Sequence, residues 1–207
     1  TKKIFSLYDG AAVIQSFDQL ESLIKGIRFH IFSNLSSKHS VRLGNISTIT
    51  NGTNDVQDTE VKYSEGLYPF YDRSDVIKYL DSYFLDKEAI IYAGEGSEFY
   101  PRYHKGKFAL HQRCYAIYDI SNDFCVIYIY HYMQTLNNYF VRNAVGSTVP
   151  SLRLDTFQRV KIPVIPIIEQ KSICNILDLI TNKLQIERSI LNSCKLQKAY
   201  LLQNMFI

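Results

Sequence analysis

The sequence predicts an α+β chain: one mixed α/β domain flanked by an N-terminal helix and a long, coiled-coil-like C-terminal helix. Three observations carry this. Apolar residues recur at helical spacing near the start, short β-rich segments separated by Gly, Asn and Asp fill the middle, and a helical pattern without Gly or Pro fills the end. The implied boundaries are 1–35 for the first helical segment, 36–163 for the domain and 164–207 for the C-terminal helix.

In the first segment Val13, Phe17, Leu20, Ile24, Ile27 and Ile31 step alternately by four and three, which is a heptad stripe. A helix over 11–32 would be roughly 33 Å long, and its narrow apolar seam calls for a partner helix. Gly26 weakens it by ~1 kcal/mol relative to Ala. The polar stretch 33–40 reads as a linker. In the middle, the strongest strand patterns are 89–93, 114–120 and 125–130, with a short one at 159–162. Residues 131–141 read as a helix, because Met133, Leu136 and Phe140 fall on one face. Pro163 and Pro166 close the domain, and Pro166 suits a first helical turn, where its missing N–H costs nothing. From 167 to 204 the residues Ile173, Leu177, Ile180, Leu184, Leu191 and Leu201 mark one stripe, which Ile176, Leu179, Ile186 and Ile190 widen. At roughly 57 Å such a helix outruns a small domain and needs a partner beyond it.

Hydrophobic residues make up 46% and charged residues 21%, as in soluble globular proteins, which excludes disordered and collagen-like classes. No apolar run approaches the ~18 residues of a membrane span, and the start lacks a signal-type pattern, so the expectation is a cytoplasmic protein without a membrane partner. Cys114, Cys125, Cys174 and Cys194 form no CxxC pair; they read as reduced and mostly buried, with no metal site. The net charge of +3 is uninformative, since residues 36–160 carry 13 Lys+Arg against 14 Asp+Glu.

The segment 146–180, GSTVPSLRLDTFQRVKIPVIPIIEQKSICNILDLI, resembles the junction of recognition domain and conserved helix in type I restriction-modification specificity subunits, with Glu169, Gln170 and Ile173 its most specific part. LIKGIRFHIFSN followed by VRLGNISTITNGT resembles the passage where a conserved helix ends and a recognition domain begins. AIIYAGEGSEFYPRYHKGKFALHQRCYAIY is similar to the family's strand, glycine loop, strand pattern. His39 and Ser40 stand where the family usually has Trp. The resemblance implies a non-catalytic DNA-recognition subunit. Its partners would be double-stranded DNA, modification (methyltransferase) subunits and a restriction subunit. S-adenosylmethionine would be held by the modification subunit, and this chain would hold no cofactor. A full family member carries two recognition domains and two long helices, so one of each implies a half-subunit that pairs with itself or a fragment. Val13, Phe17, Leu20, Ile24, Ile27, Ile173, Leu177, Ile180, Leu184 and Leu191 would then be subunit-contact positions.

Candidate DNA contacts fall in loops and in one basic stretch. Between Phe99 and Tyr118, Arg102, Lys105, Lys107 and Arg113 occur without an acid and are interleaved with Tyr103, His104 and Gln112. A hairpin so composed can set cations on phosphates and amides or guanidinium groups on base edges; it is equally the composition of a solvated hairpin with charged edges. Asn51, Thr53 and Asn54, together with Tyr71, Arg73 and Ser74, offer donors and acceptors for the major groove. Turn chemistry explains the same residues, since Asn51-Gly52 is a common turn pair and Asp72 can cap locally. Ser147 and Thr148 could touch the backbone or belong to a tight turn.

Two other classes compete. A helix-tethered protein-interaction module would not read DNA at all. A metal-dependent nuclease could use Glu60-Val61-Lys62, an ExK spacing that no suitably placed Asp precedes.

Overall fold

The computed structural model describes residues 10–35, 38–55 and 59–204, with side chains from residue 19 onward. The chain forms two compact units, Asn34–Ser172 and a helical unit made of the chain before and after it.

In the helical unit, α1 (Gly10–Asn34) runs past its predicted end. Ile24 and Phe32 are buried, Leu20 and Ile27 half-buried, and Leu23 and Phe29 exposed, which is the one-sided burial the stripe demands. The side chains of Val13 and Phe17 lie outside the described residues, as do residues 36 and 37 of the predicted linker. The C-terminal helix, α6 (Ile167–Asn204), spans the predicted 38 residues. Leu177 is buried and Ile173, Ile180, Leu184 and Leu191 are half-buried, whereas Leu201, at the far end of the stripe, and Ile176, Leu179, Ile186 and Ile190 stay exposed. The two apolar rows of the helix therefore differ in burial.

The domain begins and ends on one small sheet, in which β1 (Ser40–Arg42) pairs antiparallel with β8 (Lys161–Pro163). A short α2 (Leu43–Ile46) leads into the main sheet. Its strands are β2 (Thr48–Asn51), β3 (Tyr68–Tyr71), β4 (Lys78–Leu80), β5 (Leu85–Ala93), β6 (Arg102–Leu110) and β7 (Cys114–Tyr118), in the order β2-β7-β5-β6-β3-β4. All neighbours are antiparallel except β3 and β6.

Ala89, Ile90, Ile91 and Tyr92 are all fully buried, so the second half of β5 is covered on both faces and reads as a continuous apolar run, whereas Asp86 and Lys87 in its first half are exposed. Towards one face Ala89 and Ile91 join Tyr71, Phe108, Leu110, Cys114 and Ala116. On the other, Tyr92 and its cross-strand neighbour Tyr115 meet helical aromatics: Tyr92 lies 5.0 Å from Phe140 and 5.2 Å from Phe157, and Tyr115 lies 4.7 Å from Phe157 between ring centres. Those rings come from α4 (Asn137–Asn143) and α5 (Leu154–Gln158).

Two sequence expectations are corrected here. Residues 125–130 are not a strand but the first part of α3 (Val126–Met133), and the single helix expected over 131–141 is two, α3 and α4, separated by a turn at 134–136. The run VIYIYHYM is apolar on all sides, so neither periodicity distinguishes helix from strand. Tertiary contacts decide: Gln170 Oε1 accepts the Cys125 N–H at the head of α3 (2.8 Å), and the Met133 carbonyl accepts from Tyr92 OH at its end (3.3 Å). The Gln170 side-chain amide also donates to Asp123 O and Ile165 O, both at 2.9 Å. Gln170 is fully buried and Glu169 exposed, so Gln170 is the structural keystone of the Glu169-Gln170 phrase.

The main sheet curls. Leu110, at the end of β6, pairs with Tyr71. Arg102, at its start, would lie roughly 26 Å away in a straight strand. Yet the Arg102 guanidinium donates to the carbonyls of Asp72 and Ser74, just beyond Tyr71. Only a strongly coiled sheet brings both ends of β6 to the same loop.

Candidate functional site

The curl gathers three chain segments around the turn His111–Gln112–Arg113 between β6 and β7. Asn54 N–H donates to Leu110 O (3.2 Å), Gln112 N–H to Asn54 O (2.9 Å) and Asn51 Nδ2 to Gln112 O (3.4 Å), which ties the end of β2 to the turn. His111 N–H donates to Tyr71 O (2.9 Å), and Gly94 N–H to Arg113 O (2.9 Å), which ties on the ends of β3 and β5. Two glycines make this possible. A Cβ on Gly52 would sit 2.1 Å from Leu110 O, and one on Gly94 2.3 Å from Arg113 O. Asn51-Gly52 is therefore a point of close backbone approach rather than a turn pair.

The loop after β3 is ordered by its own polar groups. Asp72, 5% exposed, accepts Ser74 N–H on Oδ1 and Lys78 Nζ on Oδ2, both at 2.7 Å. This is the local cap that the Asp-x-Ser spacing allows. Ser74 Oγ accepts Val76 N–H (3.1 Å), while Arg102 holds the carbonyls on either side of Arg73. The Arg102 guanidinium also lies 5.0 Å from the Tyr71 ring centre.

Between this loop, the 111–113 turn and the end of β5 lies an open depression of about 280 Å³, lined by Arg73, Gln112 and Arg113 together with Asp55, Asp72, Glu95, His111 and Cys114. Its charges are largely balanced. Arg113 Nη1 reaches both oxygens of Glu95 at 3.0 and 3.1 Å, and His111 Nε2 lies 3.6 Å from Asp55 Oδ1. Burial pushes the Cys114 thiol up to about 11, so it is an inert floor rather than a nucleophile.

Of the predicted contact residues, Asn51, Thr53, Asn54, Arg73, Ser74, Gln112 and Arg113 are thus brought to one end of the sheet. Ser147 and Thr148 are exposed on a turn closed by mutual Val145–Ser151 backbone bonds, and Gly96 N–H to Pro150 O (3.1 Å) and Leu152 N–H to Gly94 O (2.7 Å) tether it beside Glu95. The basic stretch is placed differently from a hairpin tip. Lys105 and Lys107 lie within β6, in register with Glu88 and Asp86. Lys107 Nζ stands over the rings of Tyr83 (4.7 Å) and Tyr68 (5.7 Å). Tyr103 OH donates to Glu88 (2.6 Å). Tyr71 is interior, 4% exposed. Its OH donates to His104 Nδ1 (3.0 Å), because His104 Nε2–H is given to Lys107 O (3.2 Å). Burial holds the His104 ring below its ordinary pKa.

Sequence reasoning passed over the acids. Asp55 and Glu95 sit on the same surface as the cations, and the one available signal was that Glu95 stands between two glycines of a tight loop. Glu60, Val61 and Lys62 are exposed, with Glu60 bridged through its backbone to Tyr79. Among the described residues, no group of three His, Cys, Asp or Glu side chains is arranged to hold a metal ion, and no helix is long and apolar enough to cross a membrane.

Residues 36–196 match the family described as type I restriction modification DNA specificity domain. The chain belongs to this family. A curated member, the type I restriction enzyme EcoDI specificity subunit of Escherichia coli, is 28% identical over 114 residues, which cover 55% of this chain and 24% of that protein. Two solved specificity-subunit structures share the fold. The S subunit of the type I restriction-modification system from M. genitalium superposes with a TM-score of 0.73 at 19% identity, over 97% of this chain and 57% of that one. The HsdS subunit from Thermoanaerobacter tengcongensis does so with 0.64 at 13% identity, over 99% and 55%. The chain therefore spans little more than half of the two solved subunits, and its match covers about a quarter of the curated one. Its flanking helices and single mixed domain are the specificity-subunit architecture.

Proposed function

We propose that this chain reads one half of a bipartite duplex-DNA target. In this reading it is a non-catalytic specificity subunit that directs adenine methylation by modification subunits and cleavage by restriction subunits, with S-adenosylmethionine bound by the former. The observation that carries the reading is the convergence of Asn51, Arg73, Gln112 and Arg113, from three separate segments, on one exposed polar surface. Guanidinium and carboxamide groups are the side chains that pair bidentately with guanine and adenine edges in the major groove. The helices act as a ruler between this half-site and a second one, supplied by another copy or by a second reading domain. On α6 the exposed Leu179, Ile186 and Ile190 with the half-buried Ile180, Leu184 and Leu191 are the contact positions for those partners, whereas Leu177 and, on α1, Ile24 are already buried within the chain itself.

The test is co-expression with a modification subunit and mapping of methylated adenines, alongside duplex binding at rising salt. A defined bipartite target, and specific binding that weakens as salt rises, are expected. Salt-indifferent association with protein alone would sink the DNA reading in favour of a protein-interaction module.

A further inference from the structure

The depression beside the 111–113 turn has several cations around it, and all but one are engaged. Arg113 is 65% exposed along its side chain, yet both oxygens of Glu95 hold it. Lys78 is bound to Asp72, and Arg102 spends its guanidinium on two backbone carbonyls and the face of Tyr71. Arg73 is exposed and has no side-chain partner among the described residues. Around it the backbone is tied at four points: the Asp72 and Ser74 carbonyls by Arg102, Ser74 N–H by Asp72, and Val76 N–H by Ser74.

We propose that Arg102 is a positioning residue that fixes the Asp72–Ser74 backbone so that Arg73 presents its guanidinium to one guanine of the target. This inference rests on the DNA-reading function proposed above. A loop closed on itself loses little freedom on binding, so a reader carried by it discriminates through geometry rather than through charge alone. The guanidinium matches the O6 and N7 acceptors of guanine with two parallel donors, and no other base edge offers that pair. Arg102 acts through the same fork, one that lysine lacks: a single ammonium cannot hold the Asp72 and Ser74 carbonyls in the same planar geometry.

The experiment selects bound sequences from a randomised duplex pool, using the full chain with a modification subunit. Wild type is compared with R73A, R73K, R102K and R102M. R73A and R73K should each lower the preference for guanine at one position by roughly 10- to 100-fold. R73K should keep most of the overall affinity. R102K should relax that same position and leave the others unchanged; a residue with only a structural role would instead lower affinity evenly across all sequences. If R102M fails to fold, R102K, which keeps charge and bulk, decides. Unaltered preference at every position in R73A overturns the inference, as does an R102K variant that relaxes a different position or none. A wild-type chain that selects no sequence refutes the DNA reading itself, which is a separate outcome.

Discussion

Glu95 accepts Arg113 on both oxygens at the rim of the depression, so the acid-free run in the sequence is not an unbalanced run in space. Glu88 and Asp86 stand opposite Lys105 and Lys107 in strand register, which places an acid beside each lysine without a direct ion pair. Exposed pairs such as Arg113–Glu95 contribute little stability, ~0.2–1 kcal/mol each, but they keep the surface from holding any polyanion indiscriminately. His104 supplies a residue-scale prediction. Burial lowers its pKa in the fold, while in the unfolded chain it titrates at its ordinary 6.5. The unfolded state therefore takes up the proton first as pH falls. His104's contribution is intact above 6.5, and stability declines as pH drops from there towards the lower folded value. Urea unfolding between pH 7.5 and 5 should show this decline, and His104→Gln should flatten it; an identical pH profile in the variant would refute the assignment.

Among the elements, legibility followed the surroundings. The long α6 was plain because its termini carry their own signals, a proline before the first turn and uninterrupted helix formers after it. β7 and the second half of β5 were plain because they are apolar and bounded by Gly and turn residues, whereas the polar start of β5, Leu85–Glu88, was not. The segment 125–130 was not, since the contacts that hold its two ends, Gln170 at the head and Tyr92 at the tail of α3, are distant in sequence. That dependence is testable. Gln170→Leu keeps the approximate volume but removes the acceptor for Cys125 N–H and the donor for two buried carbonyls. Unpaired buried backbone groups should cost about 2–4 kcal/mol, read as a lower urea midpoint. A loss below about 0.5 kcal/mol would mean that water replaces the amide without penalty.

For the whole molecule, the layout of helix, mixed domain and helix was readable, whereas the site was readable only as a set of residues. Asn51, Arg73 and Gln112 could be named from their chemistry, but their meeting depends on the coil of the sheet, and no local pattern encodes it. The same global dependence governs assembly. α6 carries an exposed row, with Leu179 at 71%, Ile186 at 61% and Ile190 at 53%, beside its more buried stripe. If partner subunits dock on this helix, Ile186→Glu with Ile190→Glu should abolish co-purification with a modification subunit or self-association. Circular dichroism of the chain should stay unchanged. Retained assembly would place the contact elsewhere.

The loop held by Arg102 has a consequence for how such a protein changes over generations. Its backbone is held by Asp72 and Ser74 within the loop and by Arg102 from β6, and the side chain at position 73 carries none of that burden. If position 73 reads DNA as proposed, a replacement there leaves the fold intact while altering what is read. Stability and target choice would then reside in different residues of one short segment, which would let a new target evolve by single substitutions without passing through an unfolded intermediate sequence.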